Sequence, residues 1–192
     1  RELRVAGYAA LAPEIGFVFG ATSVGLAPPA GLAVAGCTAS FALDLVHPVA
    51  ASNGTYEISP GVPLGCAPAA GARWARETDT LTVRHAGAEP AAPERGRLQI
   101  ATNRSHGRLF ADGVVPGAYL NGRVHDLEVG TFYVSTDAIA APGTPALRRK
   151  RLVGGAAGPR FDDEELVAGV EDLQVEIGVD GPDADEIPER YV

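Results

Sequence analysis

Few residues in this chain are spaced for chemistry. The four histidines, His47, His85, His106 and His125, include no pair at i, i+2 or i, i+4 and no H-E-x-x-H, the spacings that set two imidazoles on one face for zinc. They read as loop or strand-end residues. Serine, histidine and aspartate are all present, but no local motif marks a triad. Gly20 to Gly25, GATSVG, lacks the G-x-S-x-G spacing of a nucleophile elbow and reads as a turn.

Three other groups could carry a function. Asp180, Asp183, Asp185 and Glu186 gather four carboxylates within seven residues, with Gly181 and Pro182 to bend the chain. Hard oxygen ligands so placed suit calcium, although the spacing is not that of an EF-hand, and a solvated acidic loop is the first reading. Arg148, Arg149, Lys150 and Arg151 form a basic run. It is either a charged strand edge that discourages aggregation or a contact for an acidic partner. Cys37 and Cys66 are the only thiols and do not form a C-x-x-C pair. An even count in a loop-rich chain suggests one disulfide and an oxidising compartment, with two separate buried thiols as the alternative. A bridge across the 28 intervening residues is worth roughly 3–4 kcal/mol in the chain-entropy model.

The elements that must position these groups are mostly strands. Period-two alternation bounded by turn residues predicts strands at 79–85, 97–101, 126–135, 146–153 and 172–180, with shorter ones at 16–20 and 108–110. Within 126–135 the inward parity switches from Leu127 and Val129 to Phe132 and Val134, which predicts a bulge at Gly130. Asp162 and Glu165 have the spacing of a capping box, so a short helical turn should run to Gly169, where a left-handed residue ends it. Residues 1–10 read as a weak amphipathic helix that must pack on the domain to be stable. Between them, 24 glycines and 15 prolines demand many loops. The 192 residues suffice for a single domain, 1–192, of α+β class, mostly β.

Charge limits the partners. A net charge of −8 argues against nucleic acid, whose phosphates require a basic surface. Trp74 stands alone in a Pro/Gly-rich segment and reads as core, not as a sugar-binding platform. No apolar run is long enough to span a bilayer.

Several fragments together are similar to one family. ELVAGVEDLQVEIGVD, followed by an acidic loop and RYV, resembles the PilW-type minor pilins of type IV pili, relatives of the J-type pseudopilins of type II secretion. ELRVAGY, TDTLTVRHAG, GRLQIATNRS, HDLEVGTFYVS and ALRRKRLV fit the same family in the same order. The resemblance implies a pilin-like fold, with a short N-terminal helix stub packed on antiparallel sheet. Residues 1–10 would be the end of a removed membrane-anchoring helix. It also implies a structural subunit, not an enzyme, without a resident cofactor. Such a subunit assembles with other minor pilins and a tip adhesin and primes the fibre. It faces the periplasm from the inner membrane before joining the extracellular pilus. A periplasmic ligand-binding β domain and a secreted hydrolase are the competing functions. In the family a further apolar strand follows the acidic loop, so the edge of 172–180 should be shielded by 187–192 or taken by a partner.

Overall fold

The computed structural model describes residues 17–59, 62–63, 66–68, 73–176, 178–180 and 188–191. In chain order the strands are β1 (Val18–Phe19), β2 (Val49–Ser52), β3 (Glu57–Ser59), β4 (Val62–Pro63), β5 (Thr80–Ala86), β6 (Arg95–Thr102), β7 (Gly107–Asp112), β8 (Arg123–Ser135), β9 (Ala146–Val153), β10 (Arg160–Ala168), β11 (Gly178–Asp180) and β12 (Pro188–Tyr191). Eight of them make one sheet, ordered β1-β7-β6-β8-β5-β2, with β9 on β8 and β10 on β9. The architecture is mostly β. The helix expected at residues 1–10 lies outside the described residues.

The 13-residue β8 is the strand on which the sheet is built. Asp126 meets β6 through Gln99 and, just past the end of β5, accepts from Gly87 N–H, while residues 130–132 pair with both β5 and β9. A strand has only two edges. β5 therefore holds one, and β6 and β9 share the other, diverging along it.

One face of this sheet carries the main core. Leu98, Ile100, Leu109, Leu127, Val129, Leu152 and Phe161 pack there against Leu32, Val34, Phe41, Leu43 and Leu45. The Ala/Gly/Pro-rich segment 20–45 is thus the second layer: it has too little periodicity to be a strand but enough apolar side chains to cover one. Arg84 of β5 is fully buried at this junction, donating from Nε to the Phe41 carbonyl at 3.1 Å and from Nη1 to the His47 carbonyl at 2.9 Å. Its guanidinium lies 4.7 Å from the centre of the Phe41 ring. Burial lowers its pKa to about 10 although Asp44 opposes the shift, so it remains a cation at neutral pH. A smaller cluster of Ala101, Phe110 and Tyr119 sits elsewhere on the sheet.

Three sequence expectations fail, each for a physical reason. Gly130 is not a bulge: its pairing with Val83 and with Arg151 is continuous. The odd residues of β8 stay buried past it, but as Thr131, Tyr133 and Ser135, so polarity changes while the face does not. Residues 160–168 form a strand, not a capped helical turn, because pairing with β9 overrides a local signal worth about 1 kcal/mol. Gly169 does take a left-handed φ of +83°, and it ends a strand there. Finally, 170–176 has no ladder. Leu173 and Val175 are half-buried and Gln174 and Glu176 exposed, so the alternation is real. The segment is instead held by Asp79, whose N–H donates to the Leu173 carbonyl at 2.8 Å and whose Oδ2 accepts from Val175 N–H at 2.7 Å. Only 178–180 pairs, with β12, so residues 188–191 do cover that short edge.

Candidate functional site

The basic run occupies β9, and its counter-charge comes from the next strand of the same chain. In the β9–β10 register Arg151 faces Asp162, Lys150 faces Asp163, Arg149 faces Glu164 and Arg148 faces Glu165. The run is therefore not a sheet edge: β10 covers it. Cross-strand pairs of opposite charge stabilise a ladder, here on both faces at once.

The two faces differ in solvation. On the outer one Arg149 pairs with Glu164. Asp162, though opposite Arg151, turns to Arg160, with 2.9 Å between Nε and Oδ1. On the inner one Arg148 and Lys150 are buried. Asp163 accepts from Arg148 Nε at 2.7 Å, from Lys150 Nζ at 2.7 Å and from the Tyr133 hydroxyl at 2.6 Å. Glu165 stands 3.3 Å from Arg148 Nη1. Burial pushes the Asp163 carboxyl up, but hydrogen bonds from Lys150, Tyr133 and Arg148, with the Lys150 charge, outweigh it and hold the group below its usual range. Burial likewise works against the Arg148 cation, and Asp163 reverses that effect.

Aromatic rings close the inner face. Tyr56 packs edge-on to Tyr133, with centroids 5.5 Å apart, and 6.0 Å from Trp74, whose backbone bridges to Ser135. The Tyr56 hydroxyl and the Trp74 Nε1 are buried, without hydrogen-bond partners among the described residues. Burial, then the nearby Tyr133 and Asp163, keeps the Tyr56 phenol firmly protonated. Trp74 is thus packing, as its sequence context suggests.

A disulfide joins Cys37 to Cys66 and straps two loops onto this hairpin. Next to Cys37, Ala35 exchanges backbone hydrogen bonds with Pro159 and Phe161 at 3.0 and 2.9 Å. Next to Cys66, the Ala67 carbonyl accepts from Lys150 Nζ. Asp180 ends β11, while Asp183, Asp185 and Glu186 lie outside the described residues. His47 lies 3.0 Å from Asp44 and His85 3.8 Å from Glu128. His106 stacks on Phe19 at 5.8 Å, and His125 Nδ1 meets the Gly87 carbonyl at 2.7 Å. Sequence reading missed Asp163 and Tyr133; the available signal was RRKR and DDEE separated by a glycine-rich turn.

The ion-pair network thus joins β8, β9 and β10 of one mostly β sheet. Residues 131–192 match the family model PilW, described as type IV pilus-assembly protein W. The matched stretch begins within β8 and takes in β9, β10, β11 and β12, hence the whole charge ladder. The match covers about a third of the chain and supports the PilW-type pilus-assembly resemblance. No curated protein and no solved structure matches the chain. Among the described residues no helix is long and apolar enough to cross a membrane.

Proposed function

We propose that this chain is the globular part of a minor pilin, a structural subunit that assembles with other minor pilins at the type IV pilus tip and primes polymerisation. The observation that carries the reading is the PilW match across β8 to β12. The fold agrees with it in kind: its charged groups are spent on joining strands, and its disulfide suits a subunit that works outside the cytoplasm. In this reading the full-length product carries an apolar N-terminal helix and sits in the inner membrane before incorporation. Its partners are other minor pilins and a tip adhesin.

The test is genetic and biochemical. Cells lacking the gene should display few surface pili, and full-length protein should restore them and co-purify with other minor pilins after crosslinking. Wild-type pilus number and length in the deletion strain would sink the proposal.

A further inference from the structure

We propose that the outer edge of β7 docks the carboxy-terminal tail of a partner protein: an extended, apolar segment whose free carboxylate meets Arg108. The edge is open because β1 pairs with only Gly107 and Arg108. The chain then turns away at Gly20, where φ is +93° and a Cβ would come within 2.9 Å of Leu32 Cδ1 and 3.2 Å of Leu109 Cβ. Only glycine makes that turn without moving its neighbours. Beyond it, Leu109 to Asp112 have no strand on that side among the described residues.

A groove of about 540 Å³ runs along this stretch. Every residue from Arg108 to Asp112 lines it, odd and even alike, so it follows the strand edge and not one face of the sheet. Its walls are Phe19, Leu32, Val114 and Pro116, and Phe19 and Val114 are 57% and 65% exposed. Backbone groups with no strand partner among the described residues, beside a trough with apolar walls and a charged residue at either end, Arg108 and Asp112, are what strand addition uses: main-chain hydrogen bonds give affinity and the trough takes alternate side chains.

Geometry and charge choose the occupant. A strand antiparallel to β7 enters at Asp112, runs towards Leu109 and meets Phe19 end-on, so it must stop there. A parallel strand would have to begin there, with its amino group next to Arg108. The Arg108 side chain is exposed and has no hydrogen-bond or ion-pair partner among the described residues. A free guanidinium at the blocked end favours a carboxylate and repels an amine, which selects a carboxy-terminus running antiparallel.

The probe is a fluorescent peptide, GSTVIV, as the free acid and as the amide, titrated by polarisation against the domain. The free acid is expected to bind at least ~10-fold more tightly than the amide. Arg108→Lys should keep that preference and Arg108→Glu should abolish it; the site is exposed, so both variants should fold. The bound acid should slow hydrogen exchange within Leu109–Asp112. Equal binding of acid and amide, indifference to Arg108→Glu, or no binding of either at about 1 mM would overturn the proposal. So would sedimentation of the free domain as a dimer through this edge. Such a failure would leave the pilus-assembly reading intact, because the groove is built from residues outside 131–192.

Discussion

Replacing Asp163 with asparagine keeps the side chain's shape and removes one charge from a closed set. Arg148 and Lys150 contribute two positive charges, and Asp163 and Glu165 two negative, so the inner face of the ladder is neutral. Asp163→Asn leaves two cations, whose side chains are 3% and 8% exposed, with one carboxylate. Breaking a buried pair by removing one partner typically costs 3–5 kcal/mol, and because Glu165 still serves Arg148 we expect the lower end, about 3 kcal/mol. For a chain of this size that is a fall in Tm of roughly 6–12 °C. Lys150→Met tests the cause. Alone it leaves an excess of one negative charge and strips the Ala67 carbonyl of its donor, so it too should destabilise. Combined with Asp163→Asn, it restores neutrality, and the double variant should be more stable than the sum of the single losses by at least ~1 kcal/mol. Urea denaturation of all four proteins, with m-values compared, measures this directly. Additivity within ~0.5 kcal/mol would show that Asp163 and Lys150 are independent and refute the charge-balance argument.

The same carboxylate predicts an acid sensitivity. Its folded pKa lies below the ordinary 3.8, so its stabilisation is present above that value and is lost as pH falls through the folded pKa. Below pH 4 the wild-type protein should lose stability more steeply than Asp163→Asn; parallel curves would contradict this. Replacing both Cys37 and Cys66 with serine should cost roughly 3–4 kcal/mol by freeing the strap over the hairpin, measured by thermal melts against the oxidised protein. Gly96→Ala and Gly143→Ala form a matched pair, since both glycines have positive φ, +85° and +80°. At Gly96 a Cβ would overlap the Gly155 carbonyl, whereas at Gly143 nothing lies within 4 Å. The first should therefore lose at least ~2 kcal/mol more than the second, and equal losses in a melt would show that backbone strain alone decides.

What was legible in the sequence depended on the range of the forces involved. The strands at 79–85, 97–101, 126–135 and 146–153 are set by side chains alternating between core and solvent, a local pattern, and the structure places β5, β6, β8 and β9 over them. The 160–168 segment is different in kind. Asp162 and Glu165 satisfy a helix cap as well as they satisfy a strand, and only their distance from Arg148–Arg151 along the chain decides between the two. The glycine-rich turn from Gly154 to Pro159 is short enough to fold DDEE back on RRKR in register, and the strand ladder with the ion pairs of Arg148, Arg149 and Lys150 outweighs one cap. A charge run therefore should be read against the nearest run of opposite sign before it is assigned to solvent or to a partner. Val175 teaches a related lesson. Its alternation with Gln174 and Glu176 is reproduced in burial, yet its backbone is held by the carboxylate of Asp79, 96 residues earlier, and no periodicity reports a partner of that kind. The candidate site divides the same way: the basic run and the cysteines announce themselves by composition. Asp163 and Tyr133 become visible only once β8, β9 and β10 lie side by side.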